Sequence, residues 1–201
     1  MISWVNRIHM VSRLRQLVFS AAVLAAAWYL MLIFHEAGHV FGAVVTGGDV
    51  QSVELYPFAI SRTDVSPNPI PLVVIWLGPV GGIVWPLIIC LLSSRGRNML
   101  RKVSRFFAGF CLITNGLYLL AGAYEGIGDC GDLLRHGSPM WTLQLFGVMA
   151  TGTGFFLWHQ TGSLTHYLSA PELVSTKAAI ISVIATMILY TAGMILWSTP
   201  H

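Results

Sequence analysis

The sequence predicts an all-α polytopic membrane protein of about five transmembrane helices, with a short β hairpin after the first helix. Three observations carry this. Of 201 residues, 55% are hydrophobic and 9% charged, with a mean hydropathy of +0.72, whereas soluble domains carry roughly 25% charged residues. The apolar residues gather in five runs long enough to cross a hydrocarbon core of about 30 Å. Between the first and second runs, residues 49–69 change to a period of two. The net charge of +3 comes from Lys and Arg clustered at the ends of apolar runs. It therefore reads as topology information and not as a nucleic-acid surface. The three cysteines lack CxxC spacing and imply no disulfide framework; Cys90 and Cys111 sit in apolar runs as packing residues.

Residues 1–16 read as a basic flank or an interfacial helix, with Arg7, Arg13 and Arg15, and with Trp4, Val5, Ile8 and Val11 toward lipid. The first span covers about Leu17 to Val45 and ends at Gly47-Gly48. Its basic-then-apolar start is like a signal peptide, but the run is too long, so a retained first helix is expected. In residues 49–69, Val53 and Leu55 alternate with Glu54 and Tyr56. Phe58, Ile60, Arg62 and Asp64 follow, and Pro67, Pro69 and Pro71 close the segment. This predicts a hairpin, or a connecting loop with β character; a hairpin would offer an open edge to an extended peptide.

The second span runs from about Pro71 to Leu92. Its Gly78-Pro79-Val80-Gly81-Gly82 cluster is expected to break or kink the helix and admit close neighbours. A basic loop follows, with Arg95, Arg97, Arg101, Lys102 and Arg105. The third span, about Phe106 to Tyr124, carries Asn115 and leads into a glycine- and aspartate-bearing segment, residues 125–136. The fourth, about Met140 to His159, has Gly147, Ala150, Thr151 and Gly154 at helix-packing spacing. The fifth covers about Ala178 to Trp197. Trp141, Trp158 and Trp197 fit an interfacial aromatic belt, and His159 and His166 read as interfacial. The organisation expected is a flank at 1–16, a core at 17–139 and two additional helices within 140–201.

Lys and Arg number three at the N-terminus and five in the 93–105 loop, against one (Arg62) in the 48–70 loop and one (Arg135) in the 125–139 loop. The positive-inside rule thus predicts a cytoplasmic N-terminus. The later part of the first span and the 125–139 loop would then meet at the non-cytoplasmic face.

His35-Glu36-Ala37-Gly38-His39 lies in that later part. Ionisable residues at membrane depth are costly and are functional candidates by default. One helical turn apart, His35 and His39 share a face and can grip one zinc ion, while Glu36 beside them can take a proton from water. The pattern points to a metallohydrolase working inside the bilayer. A catalytic zinc takes three protein ligands and keeps one position open, so a third ligand is needed at the same depth. Among the eight Asp and Glu of the chain, Asp129 and Asp132 lead, because they follow the third span on the side where the first span ends. Glu125, a Cys130 thiolate and His136 are further options. Without a metal, either aspartate reads as a helix N-cap, and Asn115 as an interhelical hydrogen bond.

These motifs together resemble the site-2 protease family of intramembrane zinc metalloproteases. The His35–His39 motif with Gly47-Gly48-Asp49-Val50 is similar to the family's HExxH helix and its glycine-ended exit into a β segment. Leu77-Gly78-Pro79-Val80-Gly81-Gly82 is similar to its glycine-proline motif, although Gly82 stands where an Asn is frequent. Asn115, with Asp129-Cys130-Gly131-Asp132-Leu133-Leu134, is similar to its asparagine and aspartate-glycine segment, with a longer gap between them. The resemblance covers roughly residues 17–135, the three-helix metalloprotease core. It implies His35, His39 and Asp129 as ligands of Zn2+, with Asp132 the alternate. It also implies Glu36 as the catalytic general base, Asn115 as a group positioning substrate or stabilising the oxyanion, and cleavage of a peptide bond in or near a transmembrane segment of a membrane protein. No PDZ-like or cystathionine-synthase-like regulatory segment is read. The alternative is a catalytically silent metal-binding membrane protein of the same fold; an intact Glu36 favours the enzyme, since a binder has no need of it.

Overall fold

The computed structural model describes residues 4–58, 61–93, 98–162 and 170–198; Ile60, Arg95, Arg97 and His166, named above, lie outside them. Helix α1 (Trp4–Thr46) is followed by β1 (Val50–Glu54) and β2 (Arg62–Val65). Then come α2 (Pro71–Ser93), α3 (Asn98–Glu125), the short α4 (Gly128–Arg135) and α5 (Met140–His159). A 3-10 turn (Pro171–Leu173) precedes α6 (Thr176–Ser198). Five of these helices are long and apolar enough to cross a membrane: His9–Thr46, Pro71–Ser93, Leu100–Glu125, Met140–His159 and Thr176–Ile195. The chain is a multi-pass membrane protein, and its described residues are all-α apart from one hairpin.

Helix α1 starts well before Leu17. No Pro or Gly interrupts Trp4 to Ala37, so the flank continues the helix instead of forming a separate element. The helix ends where Gly47 turns to φ 76° and Gly48 N–H donates to Ala43 O at 2.8 Å, a left-handed cap that only glycine adopts without strain. The strands pair antiparallel, with Val53 opposite Thr63, Glu54 opposite Arg62 and a bulge between Val50 and Ser52. Helix α2 runs through Pro79 and Pro86 without a break. Proline is tolerated in membrane helices where neighbours satisfy the freed carbonyls.

Two compact units are present. In the unit spanning Leu30–Thr161, α3 lies against α2, α4 and, most extensively, α5. The α3–α5 contact is set by glycines: a Cβ on Gly147 would stand 2.7 Å from Gly116 O, and one on Gly154 2.8 Å from Gly109 O. The small-residue spacing read in the fourth span is therefore a packing seam. Leu119, Leu133, Leu143 and Cys130 fill the core beside it. Outward-facing Leu145, Met149 and Phe156 of α5 are exposed in the protein, as a lipid-facing surface requires.

The other unit comprises Met1–Tyr29 and Gly162–His201. Here α6 is tied to α1 by side chain to backbone bonds. Thr186 Oγ1 donates to Ala22 O and Tyr190 OH to Ala25 O, both at 2.9 Å. The Tyr29 and Tyr190 rings lie 5.3 Å apart. Such bonds substitute for the hydrophobic drive that lipid removes.

Candidate functional site

The site forms where α1, α2, α3, α4 and the hairpin meet. Helical periodicity puts His35 and His39 on one face of α1, and both are buried, as is Glu36. A ligand atom from each of the three lies within 4.8 Å of the others.

The outer nitrogens of the imidazoles are fixed by neighbours. His35 Nδ1 is 2.8 Å from Asn115 Oδ1. The Asn115 Nδ2 donates to Cys111 O at 2.9 Å, which assigns the amide oxygen to the imidazole. His39 Nδ1 is 2.9 Å from Val74 O. Each Nδ1 thus donates, and each Nε2 of a neutral imidazole is left as a bare acceptor. Those two Nε2 atoms are 3.2 Å apart. Asp129 Oδ2 stands 2.8 Å from that of His35 and 3.4 Å from that of His39. Three lone-pair atoms at such distances repel unless a cation, proton or metal, lies among them. A tetrahedral zinc with bonds of about 2.0–2.1 Å holds its ligand atoms roughly 3.3 Å apart. The donor set fits that ion in type and in spacing.

Asp129 reaches the imidazoles through local backbone geometry. Gly126 and Gly128 have φ of 64° and 55°, which turns the chain back after α3. Asp129 N–H then donates to the Tyr118 hydroxyl at 2.9 Å. A Cβ on Gly128 would lie 2.5 Å from that oxygen, so glycine is required there. Burial opposes ionisation of Asp129, but where a proton stands in for the metal, hydrogen bonds and charge from His35 and His39 outweigh it. They hold its carboxyl well below the usual carboxylate range.

The other candidates are placed elsewhere. Asp132 pairs with Arg135 at the surface. His136 Nδ1 contacts Asp132 O, and Glu125 is exposed. Cys130 is fully buried. Its Sγ donates to Tyr118 O at 3.5 Å, and desolvation, helped by the Asp129 charge, pushes its thiol up to about 12. The N-cap of α4 is Ile127, so neither aspartate serves as one.

The glycine-proline segment of α2 is shaped to the site. A Cβ on Gly78 would fall 2.2 Å from the His39 ring, and one on Gly82 would fall 2.8 Å from the Asn115 amide. A Cβ on Gly81 would meet Gly38 Cα at 2.8 Å. These absences let α2 lie against the histidine face of α1.

Three site residues, Ser61, Thr63 and Tyr118, carry no distinguishing signal in the sequence. Ser61 Oγ donates to Glu36 Oε1 at 2.6 Å, and Thr63 Oγ1 to Glu36 Oε2 at 2.7 Å. Their only sequence signal is the i, i+2 spacing of two hydroxyls at a strand, too common to single out. Tyr118 likewise looked like an ordinary aromatic of the third span. Beside Glu36, an apolar groove of about 440 Å3 runs between α1 and β1, lined by Ile33, Ala37, Phe41 and Val44 on one side and by Val53 and Leu55 on the other.

A family model described as Peptidase M50B-like matches residues 9–121. The match contains the histidine motif, the glycine-proline segment and Asn115, and stops short of Asp129. No curated protein and no solved structure matches the chain. With more than half its length inside the match, and with the motifs of a membrane metalloprotease in order along it, the chain belongs to the Peptidase M50B-like family of membrane site-2 proteases.

Proposed function

We propose that this protein is an intramembrane zinc endopeptidase that hydrolyses a peptide bond in or near a transmembrane segment of a membrane-protein substrate. The observation that carries the reading is the convergence of His35 Nε2, His39 Nε2 and Asp129 Oδ2 beside the Glu36 carboxylate. His35, His39 and Asp129 would hold the metal. Zinc held there would supply Lewis acidity toward a carbonyl oxygen and would acidify water toward a pKa of about 7. Glu36 takes the proton from the attacking water and returns it to the leaving amine. Both ends of the Asn115 amide are engaged, and we assign it to holding His35 in its metal-binding tautomer.

A transmembrane helix hides its carbonyls in its own hydrogen bonds, so the substrate unwinds before cleavage. The apolar groove along α1 and β1 suits an extended apolar segment, and its wall includes Glu36. The clustered basic residues favour a cytoplasmic N-terminus, with the site toward the opposite face.

The test is metal analysis with cleavage of a reporter carrying one transmembrane helix. Glu36→Gln is expected to keep zinc and to lose about 10²- to 10⁴-fold in rate. His35→Ala and Asp129→Ala are expected to lose zinc, whereas Asp132→Ala retains it. Zinc bound without any cleavage by the wild type would leave only a metal-binding protein, and cleavage undiminished in Glu36→Gln would remove Glu36 as the general base.

A further inference from the structure

We infer that the β hairpin is part of the catalytic apparatus: Ser61 and Thr63 are positioning residues that clamp the Glu36 carboxylate, one hydroxyl on each oxygen. This rests on the protease reading above.

Glu36 is 2% exposed within a membrane-spanning helix. A carboxylate so placed needs charge-assisted donors. The hairpin supplies two, Ser61 Oγ at 2.6 Å and Thr63 Oγ1 at 2.7 Å. Each carboxylate oxygen has about two lone-pair directions, so one hydroxyl apiece leaves acceptor capacity to receive a proton. The two bonds together fix the plane of the carboxylate, which a single bond leaves free to swing.

The donors are themselves held. Ser61 and Thr63 are two residues apart and project to the same side. Thr63 pairs with Val53 across the ladder. Val65, next on that side, packs against the α1 terminus, where a Cβ on Gly48 would lie 2.9 Å from its Cγ1. On the opposite side Arg62 bridges Asp64 at 3.0 Å and Glu54 at 3.4 Å, and Ser52 Oγ donates to Asp64 at 2.9 Å. Thr63 is β-branched and stiff at χ1, so its hydroxyl direction follows from the strand. The hairpin thus transmits a fixed geometry to the general base.

The experiment uses the full zinc-loaded chain in lipid nanodiscs. First, infrared difference spectra against Glu36→Gln isolate the Glu36 carboxylate band. The clamp predicts that this band moves in Ser61→Ala/Thr63→Val relative to wild type. Second, cleavage of the single-helix reporter is measured. In the double variant kcat is expected to fall about tenfold to a hundredfold, the scale of a misplaced catalytic group, with KM and zinc content unchanged. Thr63→Ser, which keeps the hydroxyl, is expected to recover most of kcat, and Thr63→Val none. Coincident infrared bands, an unchanged kcat, a change confined to KM, or loss of zinc from the double variant would each overturn the clamp. If the band moves while the wild type itself cleaves nothing, the protease reading fails and the hydroxyl contacts to Glu36 stand.

Discussion

Two helix contacts in this protein are built by the same device and serve different ends. Between α3 and α5, Gly109, Gly116, Gly147 and Gly154 bring main chain against main chain and against Trp158. Between α2 and the site, Gly78 and Gly82 make room for an imidazole and an amide. Lipid provides no hydrophobic drive for either contact, so both rely on close approach. In the first, the released volume becomes packing alone. In the second, it is occupied by one candidate metal ligand, His39, and by the Asn115 amide that holds another. Missing side chains therefore mark a seam in one place and a functional socket in the other, and only the identity of the neighbour separates them.

Adding a methyl group at each position tests that distinction. Gly78→Ala has the largest expected effect, because its Cβ would meet the His39 ring at 2.2 Å. Zinc affinity should fall roughly a hundredfold or more, beyond the usual penalty for disturbing a supporting residue, and cleavage should vanish. Metal titration of the purified protein checks this. Gly82→Ala comes next. Its Cβ would push on the Asn115 amide at 2.8 Å, loosening His35, and zinc affinity should drop about tenfold. Asn115→Ala should match it within error; a Gly82→Ala protein with full zinc affinity would remove Gly82 from the socket.

Gly154→Ala should behave differently. It crowds Gly109 O and Ile113, and overpacking of this kind costs about 1–3 kcal/mol. Thermal or denaturant unfolding should register the loss, while the folded fraction keeps its zinc stoichiometry. Loss of metal here would show that seam and socket are mechanically joined. The smallest effect is expected at Gly152, also on α5, where a Cβ would meet nothing within 4 Å. Gly152→Ala should be neutral, or stabilising by up to about 1 kcal/mol through helix propensity.

The parts legible in the sequence are those whose signal is local. Apolar run length found five membrane helices, and the alternation of Val53 and Leu55 with Glu54 and Tyr56 found the hairpin. The i, i+4 imidazoles in an apolar run marked the site. Less was legible where function depends on what lies opposite. Asn115 is a candidate in the sequence, but its partner, His35 Nδ1, appears only in the fold, and Tyr118 is an ordinary aromatic until the fold sets it under the Asp129 backbone. Ser61 and Thr63 carry no periodic signature that distinguishes them from other strand hydroxyls. Helix α1 extends back to Trp4, through the segment that reads as a basic flank or an interfacial helix, because long basic side chains reach the interface from within a continuous helix.

By itself the sequence determined the membrane class, the number of spans, the hairpin, and a pair of histidines with a glutamate able to serve one metal. Hydropathy and spacing along one helix are sufficient for these, because they depend on residues a few positions apart. Tertiary structure decided that Asp129 and not Asp132 meets the imidazoles, that Asn115 and Val74 set their tautomers, and that the hairpin grips Glu36. Those outcomes join residues from 25 to 94 positions apart. Their energies come from hydrogen-bond geometry over tenths of an ångström, and only the packed chain fixes that geometry.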